Sequence, residues 1–302
     1  MKKLKFSFSL FMLLLFLFFV PQESEFINAK EKEYEDVNTC IIKKNWKVPS
    51  VKYQHVSNFP KFGYRNGVGK VEGVVAHETA NDKSTITQEI DFMKRNYNNA
   101  FVHAFVDHQN IIEIHPLDYG AWGAGKHANK RFVHVELVRV KNFNDFARSI
   151  NNYATYIANI LYDYNLGVYN AEKTGKGTLW SHNAVSIHLG ATNHSDPHSY
   201  FARYGYSWNK FVNLVTSKYN SIVDSKKANT SKLGHLKTGN AKIYQSPINT
   251  GKYTTKPDLY GHVYYIKAEA NINNSIYYLI STKPSSKDGP IGWVNAKDVD
   301  VR

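Results

Sequence analysis

Apolar positions recur along the chain with two alternating periods. Gly73-Val74-Val75-Ala76-His77 is a short unbroken apolar run, which reads as a buried strand with His77 at its C-terminal end. In residues 85–97, Ile86, Ile90, Met93 and Tyr97 recur at helical spacing, and Thr85 with Gln88 fits a capping box. Val102 to Asp107 and Ile111 to Ile114 read as a hairpin around Gln109-Asn110, and Phe132 to Val140 as another strand. A long helix follows, in which Phe143, Phe146, Ile150, Tyr153, Ile157, Leu161 and Tyr164 step by threes and fours and stop before Gly167. A short helix is predicted over Asn183 to Leu189, ended by Gly190. A last one after Ser207 presents Trp208, Phe211, Val212, Val215 and Tyr219. Strand and helix therefore alternate over about residues 68–220, the pattern of one α/β domain. Beyond 232, short β-rich runs such as Lys242-Ile243-Tyr244 and Val263-Tyr264-Tyr265-Ile266 are broken by Gly, Pro and Asn, which predicts a small β-barrel.

Outside these segments the pattern changes. Lys2, Lys3 and Lys5 precede an apolar run from Phe6 to Val20, followed by Pro21 and Ile27-Asn28-Ala29, the layout of a secretory signal. The run is short for a spanning helix, which needs about 20 residues, although an uncleaved anchor is the alternative. Residues 30–60 have mixed charge and no sustained period, and read as a linker followed by an extended lead-in. A second linker is expected where Ser225 to Lys232 interrupt the periodicity.

Charge then narrows the partners. The 302 residues carry 38 Lys and Arg against 25 Asp and Glu, a net +13. Removing residues 1–29 takes away three lysines and two glutamates and leaves +12. The tail from Lys226 to Arg302 holds +7 of that balance. Such a charge suits a polyanionic partner. Export makes nucleic acid an unsuitable one and moves an anionic cell-wall polymer ahead. Cys40 is the one cysteine, unpaired, so a single chain can form neither a disulfide nor a multi-thiolate metal site, and any metal must be held by His and carboxylate.

Eleven of the thirteen histidines lie between His55 and His198. The informative group is Trp180-Ser181-His182 followed by Asn193-His194-Ser195-Asp196-Pro197-His198, three imidazoles and a carboxylate within 17 residues. Zn²⁺ prefers such donors. By spacing alone, a polar surface loop explains the group equally well.

Five segments taken together closely resemble the zinc-dependent N-acetylmuramoyl-L-alanine amidases of Gram-positive autolysins: Val75 to Asp82, Asn99 to Asp107, Trp122-Gly123-Ala124-Gly125, Val135-Glu136-Leu137 and His182 to His198. That family also contains phage lysozyme-type amidases and peptidoglycan-recognition proteins. The resemblance covers about residues 68–220 with the segments in order. It implies a central mixed β-sheet flanked by helices, one Zn²⁺ held by His77, His182 and Asp196, and catalytic roles for Glu136 and His194. Thr79 and Trp122 are expected to contact substrate, and His198 to orient Asp196 from behind. His103, His134 and His188 are expected to be structural. On the residues alone, Glu136 alternates with Val135 and Leu137 and also fits a solvent-facing strand position, and Trp122 also fits plain core.

In the tail, Thr238 to Pro247 and Ile291-Gly292-Trp293-Val294 resemble the two ends of one GW module, the Src-homology-3-like wall-targeting repeat. The resemblance implies binding to lipoteichoic acid or another anionic wall polymer. The expected organisation is a signal peptide (1–29), a lead-in (30–60), an amidase catalytic domain (61–224), a linker (225–234) and a GW module (235–302). The implied protein is a secreted, wall-associated, monomeric peptidoglycan hydrolase that cleaves the amide between N-acetylmuramic acid and L-alanine of the stem peptide. The alternatives are a peptidoglycan-binding protein without catalysis, or an adhesin. The filled ligand positions and Glu136 argue for the enzyme.

Overall fold

The computed structural model describes residues 34–225, 228–230, 232–245, 247, 253–272, 275–284 and 290–302. The expected signal peptide, residues 1–29, lies outside them. Helix α1 (Val37–Lys44) and strand β1 (Val51–Tyr53) come first, followed by β2 (Gly73–Glu78), α2 (Ile86–Asn96), β3 (Ala104–Val106) and β4 (Ile111–Glu113). Next are α3 (Gly125–Asn129), β5 (Phe132–Leu137), α4 (Phe143–Asp163), β6 (Leu179–Ser181), α5 (His182–His188), α6 (His198–Ala202) and α7 (Trp208–Ser225). Their six strands form one mixed sheet in the order β1-β4-β3-β5-β2-β6. Only the β3–β4 hairpin is antiparallel; β5, β2 and β6 run parallel at the sheet's other end.

The predicted elements have identifiable local causes. Thr85 caps α2 in a complete capping box with Gln88. Asn142 caps α4 by accepting from the Asp145 N–H at 2.9 Å. Phe146, Ile150, Tyr153, Ile157 and Leu161 then bury one face of α4 completely in the main apolar cluster, which also holds Val74, Val133 and Val135 of the sheet. Tyr153 goes further: its hydroxyl lies 3.0 Å from the carbonyl of His77 and 2.9 Å from that of Val135, tying the helix to two neighbouring strands, β2 and β5. Several predicted boundaries move by one to three residues. Strand β5 stops at Leu137 rather than Val140, and α5 starts at His182 rather than Asn183.

Both linker segments hold more structure than their composition suggests. Within 30–60, Val37, Cys40 and Ile41 are buried one turn apart in α1, and the Asp36 carboxylate caps that helix through the Thr39 N–H at 3.0 Å. The stripe is only three residues wide and is surrounded by lysines, so it carries little periodic signal. Strand β1 is the edge of the sheet, paired in parallel with β4. Within 225–234, β7 (Ala228–Asn229) pairs with a strand of the following module.

That module contains β8 (Leu233–Leu236), β9 (Ile243–Tyr244), β10 (Tyr253–Thr254), β11 (Val263–Ile272), β12 (Ser275–Ser281), β13 (Pro290–Asn295) and β14 (Val299–Val301). They form an antiparallel sheet, β10-β9-β13-β12-β11-β8-β14, a half-barrel consistent with a Src-homology-3-like module. Leu236, Ile243, Ile266, Ile280 and Val294 fill its inside. Gly292 has φ +150°, and a Cβ there would lie 2.8 Å from the Tyr244 carbonyl oxygen; glycine before Trp293 lets β13 approach β9. Tyr244, Ile272, Tyr277 and Trp293 belong to the same apolar cluster as the face of α4.

Candidate metal centre

In parallel sheets ligands collect beyond the carboxyl ends of the strands, where the loops diverge. Here β5, β2 and β6 deliver Glu136, His77 and His182 to that edge. Glu136 and His77 are register partners on neighbouring strands. Ser181 closes β6, and His182 opens α5 directly after it. Asp196 comes from the loop before α6.

The three expected ligands converge. His77 Nδ1 lies 2.9 Å from His182 Nδ1 and 3.5 Å from Asp196 Oδ2, and His182 Nδ1 lies 3.1 Å from Asp196 Oδ1. They are the cluster of potential metal ligands found among the described residues. A tetrahedral ion with ligands about 2.0–2.1 Å away sets donor–donor edges of about 3.3–3.4 Å. The observed separations bracket that value, so the donor set fits a zinc-sized ion.

The surrounding contacts fix which ring nitrogens face inward. His182 Nε2 lies 2.9 Å from Thr192 Oγ1, and His77 Nε2 lies 3.0 Å from His134 Nδ1. Placing a proton on each Nε2 makes these hydrogen bonds and leaves both Nδ1 lone pairs for a metal. His134 is held in turn: its backbone N–H donates to His103 Nδ1 at 2.9 Å, and His103 Nε2–H donates to the Tyr119 carbonyl at 2.9 Å. The backbone N–H of Glu78 reaches Asp196 Oδ2 at 3.2 Å.

Burial sets the protonation states. It pushes the His77 pKa down to about 4, with help from His182 and against the pull of Asp196, so the ring is neutral near pH 7. His134 is lowered for the same reason. For Asp196, burial opposes ionisation, but in the metal-free site the facing His182 and His77 rings outweigh it and hold the carboxyl well below its usual range. Glu136 is the opposite case. Burial, then the charges of Asp196 and Glu78, raise its proton affinity, and its Oε2 is sealed from solvent without a hydrogen-bond partner. The solvent-facing alternative for Glu136 does not hold.

The other expected residues divide. His194 is 65% exposed at the mouth of the site, with its ring stacked 4.6 Å over His182 and its Nδ1 3.8 Å from Asp196 Oδ1. Thr79 lines an open groove of about 530 Å³ that continues along α2 past Gln88, Phe92 and Arg95. Trp122 is half-buried, stacked on Phe62, with its indole N–H donating to the Tyr97 carbonyl at 2.7 Å; it packs against an apolar cluster that includes Phe59, Phe101 and Ile114. His198 corrects the expectation. It does not touch Asp196 but meets Glu172 Oε1 at 2.7 Å, because α6 turns its first residue toward the 170–176 turn. His103 and His134, expected to be structural, form the column behind His77. The strand alternation that puts His134 on the same face as Glu136 was the available signal for this.

Two imidazoles and one carboxylate, with a second carboxylate of raised proton affinity beside them, form a candidate single-metal site on an α/β sheet, the donor set of a metal-dependent hydrolase. The family model for N-acetylmuramoyl-L-alanine amidase matches residues 67–199, and that for the GW (Gly-Tryp) dipeptide domain matches residues 216–300. The chain is 46% identical over 280 residues to Protein Ami of Listeria monocytogenes, covering 89% of this chain and 30% of that protein. It is 43% identical over 295 residues to the bifunctional autolysin of Staphylococcus epidermidis, covering 89% of this chain and 22% of that protein. The crystal structure of the Staphylococcus aureus hydrolase AmiA in complex with its ligand matches with a TM-score of 0.61 at 49% identity, covering 62% of this chain and 92% of that one. The chain belongs to the N-acetylmuramoyl-L-alanine amidase family and carries a GW domain behind its amidase domain. It spans less than a third of the length of these curated relatives.

Proposed function

We propose that the chain is a secreted, wall-associated autolysin that uses one Zn²⁺ to hydrolyse the amide between the lactyl group of N-acetylmuramic acid and L-alanine of the stem peptide. The observation that carries this reading is the convergence of His77, His182 and Asp196 beside a buried, unpaired Glu136 oxygen in a chain of the amidase family. When bound there, zinc supplies Lewis-acid charge for the scissile carbonyl and makes an attacking water more acidic. Glu136, with its raised proton affinity, accepts the proton of that water at its carboxylate. His194 reaches over the site from its exposed edge, donates to the developing oxyanion or protonates the leaving amine, and stays solvated between turnovers. Thr79 and the groove along α2 hold the substrate, with Trp122 bracing the neighbouring loop.

Residues 235–302 anchor the enzyme to lipoteichoic acid or another anionic wall polymer, within a basic tail from Lys226 to Arg302 that holds +7 of the net charge. The catalytic part takes in α1 and β1, and the wall-binding part takes in β7 and the start of β8. No helix among the described residues is long and apolar enough to cross a membrane.

The test is metal content and turnover together. Purified chain should hold one zinc, and His77→Ala and His182→Ala should lose it by atomic absorption. Glu136→Gln should keep zinc and fold but lose about 10²–10⁴-fold in release of free L-alanine amino groups from walls. Full zinc in both histidine variants, or near-native turnover in folded, zinc-loaded Glu136→Gln, overturns the reading.

A further inference from the structure

Glu172 lies in the turn after Asn170, outside every residue assigned above. Its carboxylate is only 18% exposed and takes three donors: Ser181 Oγ at 2.5 Å, Asn183 Nδ2 at 3.0 Å and His198 Nε2 at 2.7 Å. Its backbone carbonyl accepts from His188 Nε2 at 3.0 Å. These partners bracket the metal ligands. Ser181 and Asn183 flank His182 on either side, and His198 stands two residues beyond Asp196. The Asn183 backbone N–H closes the loop by donating to the Asp196 carbonyl at 3.2 Å.

The Ser181 hydroxyl couples this cluster to the direction of α5. It has one proton, which goes to Glu172, and its lone pair then caps the helix by accepting from the Ala184 N–H at 2.8 Å. The turn that carries Glu172 is anchored as well. The Glu172 N–H donates to Asn170 Oδ1 at 3.0 Å, and the same oxygen accepts from Trp208 Nε1 at 2.9 Å at the start of α7. An ionised carboxylate is the one side chain that accepts all three donors on two oxygens, and such charge-assisted bonds are about twice as strong as neutral ones.

We propose that Glu172 is a positioning residue for the zinc site, a clamp that holds the His182 and Asp196 segments at ligand spacing through Ser181, Asn183 and His198. This rests on the metal-site reading given under Proposed function. A residue that only supported the fold would affect stability without affecting the metal. Glu172 acts on the separation of two ligands, so its loss appears in zinc affinity.

The zinc dissociation constant of the full chain, measured by competition with a chromophoric chelator, tests the clamp. Glu172→Ala should raise it about 10–100-fold, in the range typical of residues that support metal ligands. Glu172→Gln keeps one acceptor oxygen for Asn183 and His198 and loses the Ser181 bond, so it should recover to within about threefold of native. Ile157→Val, in the core face of α4, should lower the melting temperature without moving the zinc constant. A folded Glu172→Ala chain that binds zinc within about twofold of native overturns the clamp, as does an Ile157→Val chain that loses zinc affinity as strongly as Glu172→Ala. Should Glu172→Ala fail to fold, His198→Ala decides: it removes one donor and should weaken zinc by at least about threefold, and an unchanged constant overturns the proposal. A native chain that binds no zinc removes the parent reading and the clamp together, whereas native binding with an indifferent Glu172→Ala removes only the clamp.

Discussion

Replacing Arg139 with alanine should destabilise the metal-free protein severely, although Arg139 touches no metal ligand. Arg139 and Glu78 form a two-pronged ion pair whose side chains are 9% and 2% exposed, with Nη2 to Oε1 at 2.7 Å and Nε to Oε2 at 2.5 Å. The guanidinium also lies 5.3 Å over the Tyr200 ring. In Arg139→Ala the Glu78 carboxylate stays buried beside His77 with the Ala80 N–H as its remaining hydrogen bond, at 2.8 Å. Removing one partner of a buried pair costs about 3–5 kcal/mol, since the other charge is left unpaired. For a domain of this size each kcal/mol moves the midpoint about 2–4 °C, so the melting temperature in EDTA should fall by about 6–20 °C. The Glu78→Leu/Arg139→Met double variant removes both charges and should recover most of that loss, because replacing a buried pair with apolar groups is often neutral. Thermal unfolding of native, both singles and the double closes the cycle. A loss below about 1 kcal/mol in Arg139→Ala would mean that the pair behaves as a surface salt bridge, and a double variant no better than the sum of the singles would mean that no unpaired charge was involved.

Three other outcomes are expected. Thr192→Val removes the acceptor for His182 Nε2 at nearly constant volume and should weaken zinc binding about 10-fold, with little change in metal-free melting temperature; chelator competition measures it. Gly125 has φ +78° and would place a Cβ 2.4 Å from the Ala191 carbonyl oxygen, so Gly125→Ala should cost more than about 1 kcal/mol in urea unfolding and, by displacing the loop that carries Thr192, also reduce zinc content. Retention of the chain on purified walls should fall as NaCl is raised, because exposed charges more than about 8–10 Å apart are largely screened near physiological salt; salt-independent retention would transfer the role to exposed aromatics such as Tyr253 and Tyr260.

Local pattern made much of the fold legible. The spacing of Ile86 and Ile90 behind a Thr85 cap, and the 21-residue stripe of α4, follow from the helical period within one segment. The strand that carries His77 showed in its unbroken apolar run. Contacts between segments are not written in any single period. His77 and His182 meet across 105 positions, and it was the resemblance, not the spacing, that paired them. His198 stands two residues from Asp196 in the chain, yet the direction of α6 sends its ring to Glu172. Glu172 itself is one acidic residue in a polar turn, and nothing local distinguishes it from a solvated one. Helix α1 is not legible in the pattern, because three buried residues among lysines and polar neighbours give too few turns for periodicity to register.

The position of β1 bears on how this protein can be cut into pieces. A fragment that begins at residue 61, where the sequence pattern places the start of the catalytic domain, lacks Val51–Tyr53 and so leaves the outer side of β4 without its neighbour. The uncovered N–H and C=O groups of Ile111 to Glu113 would offer a docking rail to the same rail on another molecule. In the intact chain that rail is covered by a strand of three residues bearing Lys52, and short, charged edge strands are a common guard against further pairing. The segment before the catalytic residues therefore covers an edge of the sheet, and fragments meant to stay soluble should begin upstream of α1.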